Sequence, residues 1–208
     1  MAPARLLSLM ARRLCGVLVL ILVVCAGPIS AQDEDIPLRA PAGPYRGTVI
    51  DEKTGQPVLS AAVVILWQRL DDQIQGLRRL AAAQEAFTNE KGEFVHDVAA
   101  VEGRLPPRTF APRIIIFRPG YAPLPSKPQL FPPGVPAGPF SGAGSQVRLV
   151  PVSEYEDRAE AFNTFIAMLS ASQLFPATEL PETWDLIRFE LESLGARPPK
   201  PIAPGRTR

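Results

Sequence analysis

The sequence predicts a mainly β domain followed by two α-helices, and three observations carry that expectation. Between Tyr45 and Val150, short runs of apolar and β-branched residues recur, each bounded by clusters of Gly, Pro, Asn or Asp. After Pro151 the apolar residues fall instead at intervals of three and four, the helical period. Ahead of both, residues 1–31 read as a targeting segment and not as part of the fold.

In that segment Arg5, Arg12 and Arg13 precede an apolar run from Leu14 to Ala26, and no acid occurs before Asp33. Gly27-Pro28 ends the run and Ile29-Ser30-Ala31 supplies a signal-peptidase site, so cleavage is expected between Ala31 and Gln32. The run is shorter than the roughly 20 residues a spanning helix needs, which argues against a retained anchor. Acylation at Cys25 is the alternative, but Val24 stands where lipoprotein signals want a small residue. Arg12-Arg13 matches the twin-arginine pattern weakly. The expected location is periplasmic or extracellular, with membrane contact only through the uncleaved signal. Both cysteines, Cys15 and Cys25, leave with it, so the remaining chain depends on an apolar core. Of the 22 Lys+Arg, three leave as well; the 19 that remain face 21 Asp+Glu, a balance that points away from nucleic acid.

Residues 32–44 read as an extended leader, with acids and Pro37, Pro41 and Pro44. Strands are expected over 45–50, 61–68, 83–88, 93–98, 113–118 and 146–150. In the first connection, 51–57, the Asp51 side chain is suited to binding backbone amides and Gly55 to a positive φ, a hairpin or arch signal. The stretch Thr88 to Phe94, with Lys91-Gly92 at its turn, predicts a hairpin. Arg69 to Ala82 carries Leu70, Ile74, Leu77 and Leu80 at helix-like spacing and reads as a short helix or a long loop. Tyr121 to Ser145 is too rich in Pro and Gly for either element and reads as a wrapped surface loop. Ser153 and Glu156 form a capping-box pattern, followed by an apolar face of Ala159, Phe162, Ile166 and Leu169. A second helix fits Pro181 to Leu194, with Trp184, Ile187, Leu191 and Leu194 on one stripe and Gly195 as its stop. The tail 196–208 is Pro-rich and expected to be disordered. The domains expected are therefore 45–152 for the β unit and 153–195 for a helical extension, whose stripes need either the β unit or another protein as cover.

Four pieces in order carry a resemblance: Gly47-x-Val49-x-Asp51, Thr54-Gly55-x-Pro57, Thr88-x-x-x-Gly92-x-Phe94 and Pro119-Gly120-Tyr121. Together they resemble the carboxypeptidase regulatory-like domains over about residues 45–151. The resemblance implies a transthyretin-like, Greek-key β-sandwich of seven strands, usually an accessory module of secreted or envelope proteins. Asn89 stands where the family commonly has Asp, and the inserts at 69–82 and 121–145 are long.

No catalytic, cofactor-binding or metal-ligating residue is assigned. Zinc chemistry needs several ligands and an open position, whereas the chain has one histidine, His96, which reads as an outward-facing strand residue. The same count argues against intradiol dioxygenases and hydroxyisourate hydrolases, although Tyr45-Arg46-Gly47-Thr48 is similar to the latter's C-terminal signature. Ser141 does not sit in a G-x-S-x-G elbow. Glu154, Glu156, Asp157 and Glu160 suit the first turns of a helix through its dipole. The expected function is a non-enzymatic envelope module that binds another envelope protein through loop 121–145 and the helices. The alternative is a carbohydrate-binding module using Trp67, Trp184, Tyr121 and Tyr155, of which Trp67 reads as core and Tyr121 as the surface candidate.

Overall fold

Strands β1 (Tyr45–Asp51), β2 (Ala62–Leu70), β3 (Arg78–Phe87) and β4 (Glu93–His96) are followed by a short helix α1 (Ala99–Glu102) and strand β5 (Arg113–Phe117). Then come β6 (Val135–Pro136), a 3₁₀ turn over Gly138–Phe140, β7 (Ser145–Leu149), and helices α2 (Tyr155–Ala171), α3 (Pro176–Glu179) and α4 (Pro181–Ser193). This computed structural model describes residues 43–74, 77–127, 132–174 and 176–195. The expected signal segment with its Ala31/Gln32 junction, most of the leader and the tail 196–208 lie outside them.

The strands form two sheets, one in the order β4-β1-β7 and the other β3-β2-β5-β6. In the first, β4 runs antiparallel and β7 parallel to β1. In the second, β2 lies between antiparallel partners β3 and β5. Strand β2 is a continuous apolar run, Ala62 to Trp67, and β5 reads Arg113-Ile-Ile-Ile-Phe117, so neither has a polar side to give to water. Alternation sends Val63, Ile65, Trp67, Ile114 and Ile116 into one cluster with Tyr45, Val49, Phe94, Val147 and Leu149 of the three-stranded sheet. Val64, Leu66, Ile115 and Phe117 enter a second cluster with Phe162, Phe165, Met168 and Leu169 of α2, Leu180, and Ile187 of α4. The molecule thus has three layers: the small sheet, the four-stranded sheet, and the helices on its far face. The Phe117 and Phe165 rings stack at 4.3 Å across the second interface. Fully burying each such side chain stabilises by about 1.5–3 kcal/mol.

Several expectations change here. Arg69 to Ala82 is neither helix nor plain loop, because β2 runs to Leu70 and β3 starts at Arg78, making a long hairpin. Its Leu and Ile spacing mimics a helix, but its turn is set by Asp71, whose Oδ1 accepts the amides of Gln73 and Ile74 at 2.8 and 2.7 Å. Thr88 to Phe94 is not a hairpin, since β3 and β4 lie in different sheets. It is an arch, as is the β1–β2 connection. Loop 121–145 is more than surface wrapping: Leu124 exchanges backbone hydrogen bonds with Ile116, β6 extends the sheet edge beyond β5, and Phe140 is buried.

The capping box does not form either, for α2 is preceded by Glu154 as N-cap with no side-chain cap bond. Its buried face is Ala161, Phe162, Thr164, Phe165, Met168 and Leu169, rotated from the expected Ala159/Ile166 stripe because Phe165 and Met168 carry more apolar area toward the sheet. Helix α4 buries Ile187, with Trp184, Leu191 and Leu194 packed beside it, as its stripe implies. No helix among the described residues is long and apolar enough to cross a membrane.

Two long-range polar contacts fix the helical layer. The Glu85 carboxylate on β3 accepts the amides of Glu182 and Thr183 at 3.1 and 2.8 Å, capping α4 from another element and opposing its dipole. The Glu190 carboxylate, 1% exposed, accepts Arg158 Nη2 at 2.8 Å and Nε at 3.3 Å, joining α4 to α2. Arg158→Ala leaves that carboxylate buried without its cation. Chemical denaturation of Arg158→Ala is expected to show a loss of about 3–5 kcal/mol, and of Arg158→Met/Glu190→Leu a much smaller one. Equal losses would contradict the pairing.

Candidate functional site

The residues that carry the sequence motifs are spent on the scaffold. Gly47 lies between β4 and β7, where a Cβ would stand 2.6 Å from the Ser145 carbonyl and 2.8 Å from the Phe94 ring. Asp51 Oδ1 accepts the amides of Lys53 and Thr54, both at 2.8 Å, and Oδ2 accepts the Tyr121 hydroxyl at 3.0 Å. Those backbone amides, with the Tyr121 hydroxyl, hold the Asp51 carboxyl below the ordinary carboxylate range. Thr88, buried between the two arches, accepts Ala61 N–H at 2.8 Å and donates to the Val58 carbonyl at 2.6 Å. Asn89 Oδ1 accepts the amides of Lys91 and Glu93. Gly92, at φ +71°, turns so close to the Val49 carbonyl that a Cβ has no room.

His96 does not face outward. It is 3% exposed, and its Nε2–H donates to the Val63 carbonyl at 2.9 Å. Burial depresses its pKa to about 4, against which the bond to Val63 works only weakly. The alternation of β4, Glu93 out and Phe94 in, turns His96 inward with Phe94, a parity that the sequence contained and that the polarity of the ring masked. Beside it in register, Tyr45 is fully buried and donates its hydroxyl to Glu102 of α1 at 3.3 Å. Desolvation first, then the Glu102 charge, raises the Tyr45 pKa.

The four aromatics considered for sugar contact do not form a platform. Trp67 is buried, as its apolar run implies. Tyr121, the expected surface candidate, is half-buried and engaged by Asp51. Trp184 is half-buried against the second core. Tyr155 alone of the four is exposed, and its hydroxyl donates to the Leu194 carbonyl at 3.2 Å. Ser141 Oγ donates to the Gly138 carbonyl at 2.7 Å. Among the described residues no group of three or more His, Cys, Asp or Glu is placed to hold a metal ion.

What the sequence reading did not name is an open groove of about 460 Å³ where α4 meets the ends of the β2 and β3 arches. Ser60, Phe87, Leu186 and Phe189 line it, with Glu182 and Asp185. Phe189 is 61% exposed, and Leu59, next to Ser60, is 50% exposed. Ser60 holds a positive φ of 55°, an uncommon conformation for a residue with a Cβ, which turns the chain into β2. The residues Glu182, Asp185, Leu186 and Phe189 recur at three and four along α4, a face that borders the buried one, since Leu186 also packs against the second core. A large aromatic outside the expected stripe, between Arg188 and Glu190, was the available signal. No family model, curated protein or solved structure matches this chain.

The buried histidine sets a pH dependence. Above pH 6.5 it is neutral in both the folded and the unfolded chain. Between 6.5 and about 4 only the unfolded chain takes up the proton, so the stability His96 contributes is lost as pH falls through that window. The loss is about 3 kcal/mol by the linkage relation. The stability difference between the wild type and His96→Gln, followed by urea unfolding from pH 7 to 4, is expected to shrink by that amount; a constant difference would contradict a buried neutral imidazole.

Proposed function

We propose that this chain is an exported, non-enzymatic interaction module of the bacterial cell envelope, built on a transthyretin-like, Greek-key β-sandwich of the carboxypeptidase regulatory-like type. The sandwich type is supported by a core shared between the two sheets and by the way the motif residues lock the arches together. Export is supported by the arginine-flanked apolar run and the Ala31/Gln32 junction of the sequence. The partner is another envelope protein.

One observation carries the interaction reading: an exposed aromatic, Phe189, lines a concavity with Phe87, Leu186 and Ser60 and the carboxylates of Glu182 and Asp185, and exposed Leu59 is next in sequence to Ser60. Aromatic anchors beside concave apolar surface are the usual centres of protein interfaces. This moves the contact from the expected helix stripes, which the four-stranded sheet covers, to the bordering face of α4. The sugar reading has less support, since three of its four aromatics are buried or half-buried.

Cross-linking of the tagged full-length chain in an envelope fraction tests this. Truncation after Pro151 is unsuitable, because it uncovers Val64, Leu66, Ile115 and Phe117. Leu59→Ser/Phe189→Ser, whose sites are exposed, is expected to keep the wild-type melting temperature and reduce capture of a specific envelope protein by about tenfold or more. Equal capture by both forms, or specific capture by neither, would overturn the reading, and retention on a glycan array dependent on Tyr155 would favour the sugar alternative.

A further inference from the structure

We propose that the end of the four-stranded sheet formed by the β2–β3 turn and residues 104–110 is a docking surface for an anionic phospholipid bilayer. It lies at the opposite end of β2 from the groove, roughly 25 Å away along the strand, and does not depend on the reading of that groove. Charge, fixed arginine conformations and an exposed apolar tip support it.

Residues 69–79 and 104–110 contain Arg69, Arg78, Arg79, Arg104 and Arg108 against Asp71 and Asp72, an excess of three in a chain whose residues 32–208 hold more acids than bases. Glu102, two residues before Arg104, accepts the Tyr45 hydroxyl. Backbone pairing brings the two segments together. Arg69 lies opposite Arg79 and Leu70 opposite Arg78, while the Arg108 carbonyl accepts Leu70 N–H at 3.4 Å. Arg78 and Arg108 therefore flank Leu70, with backbones about 10 Å apart across the sheet. Like charges directly opposite destabilise a sheet, and both acids are already taken, Asp72 by Arg69 at 2.9 Å and Asp71 by Arg79. Among the described residues Arg78 and Arg108 have no carboxylate partner.

The conformations of these two are fixed all the same. The Arg78 guanidinium stacks 4.4 Å from the centroid of the Phe110 ring, which leaves the N–H groups at its edge for phosphate oxygens. Arg108 is exposed and holds φ +62°, uncommon for a residue with a long side chain. Its neighbours hold the segment: Thr109 Oγ1 donates to the Pro106 carbonyl and Phe110 N–H to the Gln68 carbonyl, both at 2.7 Å.

The apolar tip favours a bilayer over a free anion. In the turn beyond Leu70 and Arg78, Ile74 is 53% exposed. Asp71 Oδ1 accepts its amide and its carbonyl accepts Leu77 N–H at 3.1 Å, so the turn that presents it is built. An apolar residue ahead of a collar of arginines suits the headgroup boundary of an anionic leaflet.

Vesicle flotation tests this, on protein purified after export and signal removal. Binding to mixed phosphatidylglycerol and phosphatidylcholine vesicles is expected to exceed binding to phosphatidylcholine alone by about tenfold or more, and to be lost in concentrated salt. Arg78→Gln/Arg108→Asn, in which Asn tolerates the left-handed conformation, is expected to keep the wild-type melting temperature and weaken partition about 25-fold, roughly fivefold for each arginine. Ile74→Ser is expected to weaken it severalfold at unchanged charge. Equal binding to both kinds of vesicle, or to neither, would overturn the proposal, as would full binding by either variant. Amide shifts at Arg108 and Phe110 with inorganic phosphate, but no flotation, would assign the arginines to a free anion and overturn the membrane contact.

Discussion

Strands β2 and β5 have no polar face. A sheet whose two central strands are apolar on both sides is stable in water only if both sides are covered, and the rest of the chain is arranged around that requirement. The small sheet covers one side through Tyr45, Val49, Phe94, Val147 and Leu149, and α2 with α4 covers the other through Phe162, Phe165, Met168 and Ile187. The helices are consequently a layer of the fold and not an appendage. The Glu85 cap and the Arg158–Glu190 pair then fix where that layer sits, since apolar packing alone sets no register.

That arrangement also determines what is left for function. With the motif residues held in the arches and the helix stripes turned to the sheet, Phe189 on α4 is among the large hydrophobics left exposed, and it lines the groove with Leu186. Glu85 holds the start of α4 over β3, and the same contact places Phe87 and Ser60 opposite that face. A residue whose role is structural thus shapes the groove without lining it. Phe189 leaves 61% of its surface to water while lining the groove, which is why it reads as a contact residue.

Much of the fold was legible in the sequence, and what was not has physical causes. The strands at 45, 62, 93, 113 and 145 begin within a residue of the apolar runs, because turn residues bound each of them. Asp51 was readable as an amide acceptor, since an Asp ahead of a Gly-containing turn has few other uses. The β2–β3 hairpin was not, because Leu70, Leu77 and Leu80 have a helical spacing by coincidence and pairing is a non-local event. The inward placement of His96 was hidden by the polarity of its ring, which runs against the parity of β4. Glu85 and Glu190 carry no local signal at all: their partners lie 97 and 32 residues away. The groove was equally hidden, since it joins Ser60, Phe87 and Phe189 from three parts of the chain.

Native-state hydrogen exchange tests the central claim, that the helices and the two-faced sheet form one cooperative unit, most directly. The amides of Phe165 and Met168 in α2 and of Val64 and Ile115 in the sheet are expected to exchange with the same, global, free energy of opening. Helix amides that open at a much lower free energy, while the strands stay protected, would contradict the account and make the helices a separable attachment.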